Sequence, residues 1–235
     1  MFKGIIKSIP NTITCLNLLS GCIAAVMAFQ GRYDAALLFV LLSAVFDFFD
    51  GLAARALKAF SVIGKDIDSL ADDISFGFVP GTIVYSLLGE MDYSGFMASM
   101  EGWFPYLGFL IAAFSALRLA KFNNDTRQTC SFIGLAVPAN ALLWASLASG
   151  CHDWILDNVH PLLLLAGIIL SCYLLVSEIP MFSLKFKSLR WKGNEVPFIF
   201  LLGCLPMLLL GRSAFFLIII WYILLSVTTI RKSNP

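Results

Sequence analysis

The chain has 235 residues, of which 59% are hydrophobic and 13% charged, and its mean hydropathy is +0.86. That balance excludes one or two soluble domains and predicts an all-α, polytopic membrane bundle, because apolar stretches near spanning length recur along the whole chain. The formal net charge of +1 hides an uneven distribution of charge and names no partner by itself; no nucleic-acid partner is expected.

In chain order, Phe2, Ile5, Ile6 and Ile9 recur at helical spacing with Lys3 and Lys7 between them. This predicts a short amphipathic helix over residues 1–10, lying in the membrane interface and stopped by Pro10. Eight spans are then expected near 12–30, 34–54, 68–89, 104–121, 133–149, 161–177, 196–210 and 213–230. The last two are short for a crossing of roughly 20 residues, which leaves six or seven open. The run Leu19-Ser20-Gly21-Cys22 resembles a lipoprotein cleavage box, but the apolar run continues past Cys22, so no cleavage is expected. The second span continues unbroken through Asp47 to Arg55. A connection over 58–66 follows, in which Gly64 permits a tight turn. Gly77, Pro80 and Gly81 predict a kink in the third span. The loop over 182–195 alternates bulky and basic residues (Phe182, Lys185, Phe186, Lys187, Arg190, Trp191 and Lys192) and suits anionic headgroups. A core over 11–195 and two additional helices over 196–235 complete the expected organisation.

Charge favours eight spans. With both termini cytoplasmic, 14 Lys and Arg fall on the inner side and only Arg32 and Arg212 on the outer, a strong positive-inside bias. Both histidines, His152 and His160, then lie outside with Glu90, Asp92, Glu101, Asp153 and Asp157. The six cysteines form no C-x-x-C pair and read as small buried hydrophobes.

The chemistry gathers in one window. Asp47-Phe-Phe-Asp50-Gly51-Leu-Ala-Ala54-Arg55 is followed, after eight residues, by Gly64-Lys-Asp-Ile-Asp68-Ser-Leu-Ala-Asp72. Asp47 and Asp50 are i, i+3 and Asp68 and Asp72 are i, i+4, so each pair shares a helix face. Ionisable groups at a bilayer edge are costly and usually functional. Four carboxylates from two facing helices need about two divalent cations for neutrality, and all-oxygen ligands suit Mg²⁺ or Mn²⁺. Paired metals can clamp both oxygens of an in-line phosphoryl displacement. Gly51 and Gly64 would leave room for a phosphate or nucleotide, Arg55 supplies a planar fork for phosphate, and Asp72 is placed to take the proton of an alcohol. Asp66 and Asp73 point to other helical faces and are left out.

The pattern D-x-x-D-G-x-x-A-R-x8-G-x-x-x-D-x-x-x-D resembles the signature of the CDP-alcohol phosphatidyltransferases, and every fixed position is met. The resemblance implies an integral membrane enzyme with a six-helix core, usually a homodimer, in the cell (inner) membrane with its site open to the cytoplasm. It implies that Asp47, Asp50, Asp68 and Asp72 hold two divalent metals and that Asp72 also serves as base. It assigns Asn11, Thr14, Asp50, Gly51, Ala54, Arg55 and Gly64 to the CDP moiety. The flanking segments Pro10-Asn11-Thr-Ile-Thr14-Cys-Leu-Asn17, Asp73-Ile-Ser75-Phe76-Gly77 and Arg118-Leu-Ala-Lys121-Phe122-Asn123 look like the serine-transferring branch. That branch implies CDP-diacylglycerol and L-serine as substrates, with phosphatidylserine and CMP as products. A zwitterionic acceptor needs a cation for its carboxylate and acceptors for its ammonium, and Arg118, Asn123 and Ser75 are the candidates. Two alternatives stay open here: the same chemistry on glycerol phosphate, inositol phosphate or an archaeal lipid donor, and a cation or proton transporter.

Overall fold

The computed structural model describes residues 2–125, 132–182 and 195–233. The basic positions Lys185, Lys187, Arg190 and Lys192 expected to meet lipid headgroups lie outside the described residues, as do Arg127 and Cys130. The side chains that would make residues 2–7 amphipathic lie outside them too.

Helix α1 (Phe2–Phe29) runs through Pro10 without a break, so that residue does not end a separate interfacial helix. Pro10 only removes one donor near the start of a long helix. There the hydroxyls of Thr12 and Thr14 lie 3.0 and 3.1 Å from the carbonyl oxygens of Ser8 and Pro10. A tight turn at Gly31, with φ of 67°, leads into α2 (Tyr33–Ala56). Ala24, Ala25 and Ala28 of α1 and Ala36, Leu37 and Val40 of α2 belong to the same buried core. Such small side chains let two helices lie close together.

The third span is composite. It comprises α3 (Val62–Asp72), a π-helical segment (Asp73–Phe78) and α4 (Val79–Gly89). The expected turn at Gly64 falls instead at Lys58, whose φ is 49°; Gly64 lies in the first turn of α3. Ser61 caps that helix, its hydroxyl oxygen accepting from the Gly64 backbone N–H at 2.9 Å. The irregularity expected around Gly77 and Pro80 takes the form of the π segment. Pro80 cannot donate to the Phe76 carbonyl, and the Val79 N–H bonds to the Ile74 carbonyl five residues back.

A 3₁₀ turn (Phe104–Phe109) leads into α5 (Leu110–Asn124), followed by α6 (Val137–Asn158) and α7 (Pro161–Val176). Two-residue strands β1 (Phe132–Ile133) and β2 (Pro180–Met181) pair antiparallel and tie the ends of these helices together. Then come α8 (Glu195–Met207), a 3₁₀ turn (Leu208–Ser213) and α9 (Ala214–Ser233). By length and composition Ser8–Phe29, Tyr33–Ala56, Phe104–Asn124 and Glu195–Thr229 qualify as membrane spans, with Pro161–Val176 a shorter apolar helix. The Glu195–Thr229 stretch is not one rod. Gly211 adopts φ of 62°, and Gly203 of α8 lies directly against the Trp221 indole of α9, so the chain doubles back as a hairpin. All eight segments expected to cross are helical over most of their length, but the third begins earlier, at Val62, and the fifth starts only at Val137 and runs on to Asn158.

Leu16, Leu19 and Val26 of α1 and Leu38 and Val45 of α2 are exposed, an apolar surface suited to lipid rather than a second core. Cys15 and Cys22 share this exposed face and are not the buried hydrophobes expected; Cys172 is buried. Outside the protein core is lipid, so a cysteine there needs no burial by protein.

Candidate active site

The site lies where one end of α1, α2, α3, α5 and α6 meet. Helical spacing places Asp47 and Asp50 on one face of α2, and the reversal at Lys58 brings the start of α3 back against it. Carboxylate oxygens of Asp47, Asp50 and Asp68 all lie within 4.8 Å of one another. Asp72 borders the same cavity, and its Oδ1 accepts a hydrogen bond from Asn17 Nδ2 at 3.2 Å. The Thr14 hydroxyl donates to Asp50 Oδ2 at 2.6 Å. Asp68 Oδ1 is buried and has no hydrogen-bond partner among the described residues. Converging anionic oxygens, one of them buried without a donor, are unstable alone and fit divalent cations.

Two cavities meet at this carboxylate wall. The first encloses about 740 Å³ and the second about 550 Å³. Asp50, Gly51, Arg55 and Asp68 border both. All seven residues expected to contact CDP (Asn11, Thr14, Asp50, Gly51, Ala54, Arg55 and Gly64) line the first. Gly51 is open toward the cavities, since a Cβ there would meet only the Arg55 guanidinium, at 3.9 Å. Gly64 differs: its Cβ would come to 2.8 Å from Ser61 Oγ and 3.0 Å from Asn11 Oδ1. A side chain at Gly64 would have to displace the capping Ser61 hydroxyl of its own helix and the Asn11 side chain of α1, so the glycine keeps both of those groups in place.

The second cavity is lined by Asp47, Asp50, Asp68 and Asp72 together with Ser69, Arg118 and Asn123. Arg118 is 4% exposed, and its guanidinium carbon lies 5.4 Å from the centre of the Phe122 ring. Asn123 Nδ2 donates to Ser69 Oγ at 2.8 Å, fixing the end of α5 to α3. Ser75, the third residue expected to meet the acceptor, borders neither cavity. It is fully buried, donates to the Asn17 backbone carbonyl at 3.1 Å and presses against Gly21. The widened π turn carries it toward α1 rather than toward the cavity. Asp66 and Asp73 also border neither cavity.

Sequence reasoning missed Asn17 as a partner of Asp72, and it missed Lys65, Phe60 and Ser69 as lining residues. One signal for Asn17 was available: it stands three residues after Thr14 and four before Gly21 on one face of α1, polar within an apolar run.

A family profile described as CDP-alcohol phosphatidyltransferase matches residues 7–173. The chain is 31% identical over 172 residues to a CDP-diacylglycerol–serine O-phosphatidyltransferase of Bacillus subtilis, covering 73% of this chain and 88% of that protein. It is 32% identical over 192 residues to the like-named protein of Helicobacter pylori, covering 77% and 74%. It is 32% identical over 141 residues to an archaetidylserine synthase of Methanothermobacter thermautotrophicus, covering 59% and 57%.

Proposed function

The chain belongs to the CDP-alcohol phosphatidyltransferase family, and from that membership we propose that it transfers the phosphatidyl group of CDP-diacylglycerol to the hydroxyl of L-serine, giving phosphatidylserine and CMP. The observation that carries this reading is the pair of cavities sharing one carboxylate wall: a donor and an acceptor in separate chambers meet only there.

The larger cavity takes the cytidine diphosphate. Its mouth carries exposed Phe60 and Val62, which suits a lipid whose acyl chains stay in the bilayer. Arg55 supplies parallel N–H donors to phosphate oxygens. Asp47, Asp50, Asp68 and Asp72 would hold two divalent cations, Mg²⁺ or Mn²⁺. Bound there, these ions would supply Lewis-acid stabilisation of charge on the pyrophosphate and the departing CMP. The acceptor occupies the smaller cavity, with Arg118 toward its carboxylate and Asn123 beside it. Asp72, oriented by Asn17, takes the proton from the serine hydroxyl as its oxygen bonds to the phosphorus bearing diacylglycerol. The bond from that phosphorus to the CMP oxygen breaks, and CMP departs with its negative charge facing Arg55. The enzyme works as a homodimer in the cell (inner) membrane, with the site and both termini on the cytoplasmic side.

Purified full-length protein supplied with CDP-diacylglycerol should release CMP only when L-serine is added, and a chelator should stop it. Asp50→Asn should cut the rate by about 100-fold or more, several kcal/mol of transition-state stabilisation, without unfolding the protein. Stimulation by glycerol 3-phosphate and not by serine would overturn the choice of acceptor. Full activity in Asp50→Asn would overturn the role of the carboxylate wall.

A further inference from the structure

After α7 the chain runs without helix from Ser177 to Phe182, passing through β2. This strap sets the start of α6. The Gly134 N–H donates to the Ile179 carbonyl at 2.8 Å and the Leu135 N–H to the Leu174 carbonyl at 2.9 Å. Gly134 holds φ of 74°, and a Cβ there would meet the Ser177 carbonyl oxygen at 2.8 Å, so only glycine fits this close approach. Leu135, Leu174 and Met181 form a small buried cluster beside the main core. The residues that follow Leu135, namely Ala136, Val137 and Pro138, are one wall of the smaller cavity. No side chain caps α6, so the backbone bonds to the strap fix where that wall stands.

The α8–α9 hairpin grips the strap from outside. Tyr222 and Ile223 of α9 pack against the small cluster, and the Tyr222 hydroxyl donates to the Phe182 carbonyl at 3.1 Å. The Phe182 ring meets both arms: its centre is 4.8 Å from that of Tyr222 and 5.5 Å from that of Phe200 in α8. Tyr222 stands about 12 Å along α9 from Ile230, the last apolar residue before Arg231 and Lys232, so the contact falls within the apolar length of the helix. Non-helical backbone persists at that depth only where protein covers it and satisfies its polar groups. We propose that the C-terminal hairpin braces the smaller cavity, with Tyr222 as a positioning residue that acts through Phe182, the β1–β2 pair and Leu135 on the Ala136–Pro138 wall. The hairpin lies beyond residue 173, where the family match ends, so the brace is built from segments outside that match. The proposal rests on the reading of the smaller cavity as the serine chamber.

Tyr222→Phe keeps the ring and removes only the hydroxyl. In the full-length protein in detergent it should raise KM for L-serine about 3- to 10-fold and leave KM for CDP-diacylglycerol unchanged. Amide hydrogen exchange, read by mass spectrometry, should speed by a similar factor at Gly134 and Leu135 and stay unchanged in α2. Phe200→Leu loosens the grip from α8 and leaves the hydroxyl in place; it should act in the same direction, and it carries the test if Tyr222→Phe folds poorly. Equal rises in both KM values would mean that the hairpin supports the bundle as a whole, which overturns the brace. In a wild-type protein that uses serine, an unchanged serine KM in the variants overturns it too. Wild-type protein that ignores serine sinks the choice of acceptor instead. The exchange measurement needs no substrate and then decides the brace alone, with unchanged rates at Gly134 and Leu135 counting against it.

Discussion

Asn17 is fully buried in α1, and its two polar ends serve different helices. Its side-chain amide donates to Asp72, while its backbone carbonyl lies 3.2 and 3.1 Å from the hydroxyls of Ser43 in α2 and Ser75 in the π segment. One residue thus fixes the lateral spacing of three helices and the orientation of the proposed base. Partners that orient a ligating or reacting carboxylate are commonly worth about 10–100-fold. Asn17→Ala should therefore lower kcat by that factor with little change in KM for CDP-diacylglycerol, as steady-state CMP release would reveal. Gly21 acts one turn further along. Because Ser75 already occupies the place of its missing Cβ, Gly21→Val should push α1 from the third span and cost about 1–3 kcal/mol, seen as a lower thermal midpoint. The four aspartates were legible in the sequence because their partners lie three and four residues away on the same helix. The partners of Asn17 and Ser75 were not, because their bonds close across 55 and 58 residues; spacing on α1 can mark Asn17 as a buried polar position but does not say what it bonds.

Hydropathy betrayed the long apolar helices, since a segment immersed in lipid must be apolar over its whole lipid-facing length, but not the start of α3, which lies in the stretch 58–66 expected to be a connection. The details of hydrogen bonding inside an element leave no such trace. Gly77, Pro80 and Gly81 signalled an irregularity in the third span, but a kink and a π turn ask for the same residues. Pro10 read as a stop and proved compatible with a continuous helix. The two short C-terminal spans expected over 196–210 and 213–230 are the arms of the α8–α9 hairpin, and its turn rests on the positive φ of Gly211. The π segment starts directly after Asp72, so it sets the rotation of the α3 carboxylates relative to α4. Pro80→Ala restores the missing N–H and favours regular α-helical bonding to Phe76. That variant should keep or raise its thermal midpoint while kcat falls several-fold, because Asp68 and Asp72 turn away from Asp47 and Asp50. Unchanged kcat would show that the π turn does not govern this register.

Across the whole molecule the two ends differ in chemistry. Lys65 borders the carboxylate end, and Lys58 after α2 and Lys121 in the last turn of α5 belong to the same end, whereas Arg32 and Arg212 stand at the other, where Arg212 pairs with Asp34. Exposed Trp103 and Trp154 lie near that far end and suit a headgroup layer. His152 lies there too, beyond the break in α6 at Cys151, whose φ is −130°. Its Nδ1 is 2.8 Å from Asp153 Oδ1, its Nε2 is 2.7 Å from Glu90 Oε2, and its ring centre is 5.2 Å from that of Tyr33. Burial alone would lower its pKa, but the hydrogen bonds to Asp153 and Glu90 outweigh burial and raise it above the ordinary value. A raised value in the folded state means the charged clasp contributes its full stability below the unfolded pKa of about 6.5 and loses it as pH rises through the higher folded value. The thermal midpoint of the detergent-solubilised protein should therefore fall across a pH step that begins near that value and ends above it. His152→Gln should abolish the step. It should leave serine-dependent CMP release unchanged at fixed pH and temperature, because the clasp lies at the opposite end of the bundle from Asp47 and Asp72. A step of equal size in His152→Gln would assign the pH dependence to other groups, and lost CMP release would mean that the two ends communicate through the helices.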